Sequence, residues 1–429
     1  MGALQDLVQG VETGRTVSGP TALVLGGGFV GAACAWNLQR DGFATTWIDR
    51  GDPARAASFG NAGHLASEQI VPLASYGTLR KLPGRLFLAG GPVGLRPRHI
   101  ARWLPFGMRL IAACGRYEAG SAALKSLIVR ALPAWHRLAS AIEAPSLIRE
   151  AGHFAAYETE ATARAGIRDA LANDYGYATA REATAEELER LRARFAGRPA
   201  GAVRFSRTGQ VVDIPGLRAK MDQAFHAAGG SKATAEILGL AVENGKAHAI
   251  LGDGTRRTAD RIVVAAGVGS AAILREIEGP IPLIAERGYH IDARVTAEDW
   301  PADLPPVAFP DRSTIVTRFA SSLRMTGFTE FAGESAAADP RKWAKLERHA
   351  DELGLPAGEG RTRWIGPRPT LPDFLPAIGR ARAAPNLLYA FGHQHLGVTL
   401  SAFTGELIAA LAGDRPTAVP LAPFDLNRF

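Results

Sequence analysis

At 429 residues, 47% apolar and 21% charged, the chain is long enough for two packed domains, and its composition excludes a disordered or collagen-like protein. The net charge of +7 is modest for this length and selects no partner by itself. Only Cys34 and Cys114 are present, neither at metal-ligand spacing from another Cys or His, so no metal site, iron–sulfur cluster or disulfide framework is expected.

Residues 1–20 read as a flexible leader, without the basic start and apolar run of a secretory signal. TALVLG (Thr21–Gly26) is a short apolar, β-branched run, hence a buried strand. GFVGAACAWNLQRDG has helical spacing and stops at Gly42, and ATTWID (Ala44–Asp49) is a second strand. This is a β–α–β unit of about 30 residues. Gly26 permits the sharp turn from strand to helix, Gly28 lets the backbone approach a pyrophosphate, and Gly31 lets helix and strand pack closely. Phe29 and Val30 open the helix, whose first N–H groups face the anion. Asp49, roughly 20 residues beyond the last glycine, is placed to accept hydrogen bonds from an adenosine ribose, with Arg50 beside it. The set reads as a dinucleotide site rather than a plain tight turn, but its spacing does not separate FAD from NAD.

A loop-rich stretch follows to Gly77. From Gln69 to Tyr117 there is no acidic residue, while Arg80, Lys81, Arg85, Arg96, Arg98, Arg102, Arg109 and Arg116 all fall there. Ile100, Trp103, Leu104, Leu110 and Ile111 intermix with these arginines. One reading is an amphipathic patch, within residues 80–116, resting on anionic lipid; the other is a helix packed on its own core with solvated arginines. Aromatics are not interleaved as stacking platforms, so no nucleic-acid partner is expected. No apolar run reaches membrane-spanning length; the nearest, Trp103–Cys114, is interrupted by Arg109. The expected location is the cytoplasm, with peripheral contact to the inner membrane face through the basic segment.

Residues 121–195 read mainly as helices, with a strand-like HFAAYET. GQVVDI (Gly209–Ile214) is a strand, PGLRAKMDQAFHAAGG a helix, 235–252 paired strands, and DRIVVAAG (Asp260–Gly267) a buried parallel-type strand. From Ile281 to about Thr329 the pattern is strand-rich. NLLYAFG is a strand and Val398–Leu411 a helix. A second G-x-G-x-x-A at Gly267–Ala272 lacks a following strand that ends in an acid, so it reads as an ordinary turn.

Taken together and in order, GGGFVG, SFGNAG (Ser58–Gly63), QVVDIPGL, VVAAGVGS, RGYH (Arg287–His290), WIGPRPTLPDFLPAIG (Trp364–Gly379) and GHQHLGVT (Gly392–Thr399) resemble the bacterial D-amino-acid dehydrogenases. These belong to the wider flavoprotein family of D-amino-acid oxidase, glycine oxidase and sarcosine oxidase. The resemblance runs from about Thr21 to Gly413 and implies one bound FAD. It implies an α/β fold: a discontinuous Rossmann-type FAD-binding domain with a second, α+β substrate domain built on an antiparallel sheet. The expected division is 21–80, 205–280 and 360–415 for the first, 81–204 and 281–359 for the second, and 416–429 as a tail.

By this resemblance Ser58, Asn61 and Gly63 contact FAD, and so do Ala266 and Gly267. His64 either touches the isoalloxazine or is satisfied by backbone. His393, Leu396, Gly397 and Thr399 precede or open a helix whose N–H groups stabilise negative charge on the flavin pyrimidine. Arg368 is the expected partner of the substrate carboxylate, because a planar guanidinium fork suits bidentate binding; the competing reading is a surface arginine before Pro369. Tyr289 and His290 are expected to line the substrate pocket. His395 departs from relatives that carry other residues there, including arginine in glycine oxidase, and implies a different side-chain pocket.

The implied reaction is dehydrogenation of a D-amino acid, with hydride passing from Cα to flavin N5, and electrons then passing to quinone or another acceptor. Cyclic imino acids such as D-hydroxyproline or D-proline are the preferred subclass. The alternatives are an oxidase using O2 and a flavin-carrying subunit of a larger electron-transfer complex.

Overall fold

A computed structural model describes residues 19–52 and 56–429, so nearly all of the expected leader lies outside the described residues. The opening unit is strand β1 (Thr21–Leu25), helix α1 (Phe29–Arg40) and strand β2 (Ala44–Asp49). Strand β3 (His64–Leu65), helix α2 (Tyr76–Arg85) and strand β4 (Val93–Leu95) lead to helices α3 (Ile100–Cys114) and α4 (Tyr117–Ala141). Next come β5 (Ile148–Arg149), β6 (His153–Tyr157), α5 (Glu160–Leu171), β7 (Thr179–Glu182), α6 (Ala185–Arg194), β8 (Gly201–Ser206) and β9 (Gly209–Val211). Helix α7 (Ile214–Ala227) precedes β10 (Ser231–Thr234), β11 (Ile237–Glu243), β12 (Lys246–Leu251), β13 (Arg256–Arg257) and β14 (Arg261–Val264). Helix α8 (Ser270–Glu278) is followed by β15 (Ile284–Arg294), β16 (Val307–Phe309), β17 (Thr314–Arg318) and β18 (Ser322–Phe331). The chain closes with α9 (Pro340–Glu352), β19 (Arg361–Thr370), β20 (Ala377–Arg380), β21 (Leu387–Phe391) and α10 (Gly397–Ala412).

Two large sheets organise these elements. The first has the order β10-β2-β1-β14-β21-β20, with parallel pairing up to β21. Only β20 runs antiparallel, at the edge. Its strands come from the start, middle and end of the chain, as a discontinuous Rossmann-type unit requires. The second sheet has nine strands in the order β19-β15-β18-β17-β16-β6-β8-β7, with β4 beside β18, and is mostly antiparallel. Small sheets β3-β9-β5 and β11-β12-β13 complete the fold. The α/β class with an antiparallel second domain is therefore the observed one.

The sheets place two elements differently from the sequence reading. Helix α4, expected with the substrate part, packs Leu124, Leu127, Ile128 and Leu132 into the same core as α1 and α10. Each of these buried side chains contributes about 1.5–3 kcal/mol, enough to fix the helix on the first domain. Strand β19, expected with the FAD part, pairs along its length with β15 in the nine-stranded sheet. The expected strand Gly209–Ile214 ends at Val211, because Asp213 turns outward as the cap of α7 and accepts from Gly216 N–H at 3.0 Å. The expectation of no membrane-length apolar stretch also needs correction: Gln394–Ala412 is long and apolar enough, but it is mostly buried as a core helix.

A cavity between two sheets

One cavity of about 1170 Å³ runs between the two domains, larger than the roughly 300–1,000 Å³ of ordinary small-molecule pockets. At one end its wall is the glycine turn. Gly26 has φ of +128°, and a Cβ there would lie 2.3 Å from the Ala265 carbonyl at the end of β14. A Cβ on Gly31 would lie 2.0 Å from the Gly26 carbonyl, so helix and strand touch there. Trp47 Nε1 donates to the Gly26 carbonyl at 2.8 Å, and the Arg218 guanidinium donates to the Gly27 carbonyl. Both turn carbonyls are thus taken up by partners in the protein. The sequence reading missed Trp47 and Arg218, which stack on each other at 4.4 Å.

Gly26, Gly28, Phe29, Val30, Asp49 and Arg50 all line the cavity, as do Ser58, Asn61 and His64. Ala266, Gly267, His393, Leu396 and Gly397 line it too. Ser58 Oγ accepts from Phe29 N–H at 3.4 Å, joining the SFGNAG segment to the start of α1. Helices α1 and α10 both begin without a side-chain cap and face the cavity at their first residues. Two uncapped helix starts, an acid at the end of β2 and a backbone-lined trough of this size fit a dinucleotide that carries a flavin.

Three expected cofactor residues do not face the cavity. Gly31 is the packing contact just described. Gly63 packs against Phe319 and the Val211 carbonyl. Thr399 is buried, and its Oγ1 accepts from Ala66 N–H at 3.1 Å. Their roles are to hold the walls in place.

At the other end the walls are side chains. Arg368 on β19 lines the cavity and lies in register with Glu286 on β15. Its Nη1 donates to Glu286 Oε1 at 3.2 Å and lies 3.4 Å from Thr329 Oγ1. Glu286 in turn accepts from Thr329 at 3.0 Å and Thr370 at 2.8 Å. The rest of the guanidinium lies over Gly288, where a Cβ would fall 2.3 Å from Nη2. The arginine is braced on one side and open on the other, the arrangement a carboxylate-binding group needs. Glu286 was not foreseen. His395 also lines the cavity and hydrogen-bonds to Gln69, a second unforeseen residue. Burial pushes His395 down to about 4, although the Glu286 and Glu68 carboxylates oppose this. His393 bonds Thr404 at 3.1 Å, and burial pushes it down to about 3. Both imidazoles are neutral at pH 7.

Tyr289 and His290 are corrections. Neither lines the cavity. Tyr289 is fully buried in the core of the large sheet against Trp343, and its hydroxyl accepts from Asp339 N–H at 3.0 Å. His290 is stacked on Trp364 at 5.0 Å and bonds the Gly60 carbonyl at 3.2 Å. Burial, with Arg324 nearby, holds it at about 3. Arg324 donates to the carbonyls of Phe59 and Asn61 at 3.1 and 2.8 Å while paired with Asp292. His290 and Arg324 therefore fix the Ser58–Gly63 segment against the cavity; they shape the site from behind.

Fold and cavity together define a flavin-dependent oxidoreductase. The family described as FAD dependent oxidoreductase (DAO) matches residues 21–411, and the chain belongs to that family. The chain is 32% identical over 421 residues to a protein named D-amino-acid oxidase from Bradyrhizobium diazoefficiens, covering 95% of this chain and 98% of the relative. It is 29% identical to D-amino acid dehydrogenase 2 of Ralstonia nicotianae, covering 94% and 99%. Glycine oxidase from Geobacillus kaustophilus shares the fold, with a TM-score of 0.70 at 20% identity over 96% of this chain and 99% of that one. The family expectation holds, and FAD is the cofactor.

Proposed function

We propose that the chain dehydrogenates a D-amino acid at Cα, with cyclic D-imino acids such as D-hydroxyproline or D-proline as its preferred substrates. The observation that carries this reading is Arg368, braced by Glu286 and facing the same cavity that the glycine turn closes at its far end. The guanidinium holds the substrate carboxylate, which presents Cα toward the middle of the cavity. FAD, held by the glycine turn and the starts of α1 and α10, would supply the two-electron acceptor for the Cα hydride. The substrate nitrogen loses its proton to solvent, and a C=N bond forms; a ring substrate then yields a pyrroline carboxylate, an open-chain one an imine that hydrolyses to a 2-oxo acid. His395 and Gln69 supply a polar contact at the side-chain end, which suits a ring hydroxyl.

The acceptor we propose is a membrane quinone, reached by peripheral contact of a cytoplasmic protein. The support is α3: Ile100, Leu104, Met108 and Ile111 form an exposed apolar face, with Arg98, Arg102 and Arg109 exposed around it. Leu104, Met108 and Ile111 also belong to the cavity wall, so the patch lies at its mouth. The relative named D-amino-acid oxidase favours a second reading, in which O2 is the acceptor.

Anaerobic mixing with paired D- and L-isomers of amino acids and cyclic imino acids tests the substrate. Rapid bleaching of the flavin by D-isomers, fastest for the cyclic ones, is the expected result. No bleaching by any D-isomer sinks the proposal. Peroxide formed at the rate of flavin reduction would replace quinone by O2.

A further inference from the structure

Where the small sheet β3-β9-β5 meets β6, three side chains converge on the cavity wall. His64 opens β3, Glu68 lies four residues on, and His153 opens β6; all three line the cavity. His64 Nε2 is 2.9 Å from Glu68 Oε1, and His153 Nε2 is 3.9 Å from the same oxygen. One ligand atom from each lies within 4.8 Å of the other two.

Several features show that the cluster is incomplete as a hydrogen-bond network. The 3.9 Å gap between His153 and Glu68 is too long for a hydrogen bond. Among the described residues, Glu68 Oε2 is buried without a hydrogen-bond partner. Among the described residues its ion-pair partners are the two imidazoles alone. A buried carboxylate without a fixed cation is costly. His153 is also locked in orientation: its ring is stacked on Phe205 at 4.6 Å, and Nδ1 bonds Thr208 Oγ1 at 3.0 Å. A hydroxyl on Nδ1 is the outer partner that aims Nε2 of a ligating histidine.

We infer that His64, Glu68 and His153 form a binding site for a divalent transition-metal ion, of the Zn2+, Co2+ or Ni2+ class, in the wall of the cavity. Two imidazoles and one carboxylate suit these ions over Mg2+ or Ca2+, which prefer all-oxygen shells. The cation fills the gap between His153 and Glu68, neutralises the carboxylate and gives Oε2 a partner. Three protein donors leave the remaining positions to water or to a ligand in the cavity.

The test uses the FAD-loaded full chain, stripped with a chelator and titrated with Zn2+ against a fluorescent zinc indicator. Wild type is expected to take up one tight equivalent per chain. His153→Gln and Glu68→Gln should each lose that equivalent, and Thr208→Val should weaken it by roughly 10-fold or more. Flavin absorbance and melting temperature verify that each variant is folded; should one variant misfold, the other two decide. Absence of a tight equivalent in wild type, or the same equivalent in every folded variant, overturns the site.

Discussion

The two ends of the cavity are built from different materials. The glycine-turn end is made of backbone: a strand, a turn in which a Cβ at Gly26, Gly27 or Gly31 would collide, and two helix starts whose N-cap residues lend no side chain, all anchored on a parallel sheet. The Arg368 end is made of side chains carried by antiparallel strands and held by one another: Arg368 on Glu286, His395 on Gln69. A backbone wall binds what any chain with the same turn binds and tolerates almost no change. A side-chain wall can be exchanged residue by residue without disturbing the sheet, so specificity resides there.

The largest expected effect is at the side-chain end. Arg368→Lys removes the planar fork and should lower kcat/KM for a D-amino acid by ~10²–10³-fold, about 3–4 kcal/mol, while bound FAD per chain stays unchanged. Loss of FAD instead would erase the distinction between the ends. Gly31→Val attacks the backbone end: its added carbons collide with the Gly26 carbonyl, and the overpacking of about 1–3 kcal/mol should weaken FAD affinity by ~10–100-fold, read by flavin fluorescence on dilution.

The buried histidines around the cavity should also make the protein acid-labile. His153, His290 and His393 are held at about 3 and His395 at about 4, against the ordinary histidine value of 6.5. Folded values lie below the unfolded ones, so as pH falls below about 6.5 the unfolded chain takes up protons first and stability is lost. Each histidine costs up to ~1.4 kcal/mol per pH unit until its folded value is reached. Glu68 acts in the same direction lower down, its contribution present above about 4.5 and lost toward about 2. The melting temperature should fall from pH 7 to 5, less steeply in His393→Gln; an unchanged slope would remove these histidines from the account. The smallest effect is Tyr289→Phe. It leaves Asp339 N–H unpaired and should cost about 1–2 kcal/mol in denaturant unfolding with KM unchanged. A raised KM would return Tyr289 to the substrate wall.

The backbone end was legible because its signals are local: a strand, three glycines, a helix and Asp49 fall within one short segment. The side-chain end depends on partners distant in sequence. Glu286 meets Arg368 only because β15 and β19 pair in that register, and Gln69 meets His395 across most of the chain. Tyr289 and His290 misled because β15 is buried on both faces, so the alternation that distinguishes a pocket face from a core face is missing. Thr399 misled for the same reason on α10, which is buried nearly all round. His64 was noticed as a neighbour of the flavin segment, but its grouping with Glu68 and His153 needed the fold.

The central claim, that Arg368 presents the substrate by its carboxylate, is tested most directly by anaerobic flavin reduction with D-proline and with pyrrolidine, the same ring without the carboxylate. Wild type should reduce faster with D-proline by ~10²–10³-fold at low substrate, and Arg368→Met should erase most of that preference. A preference that survives intact in Arg368→Met would contradict the account.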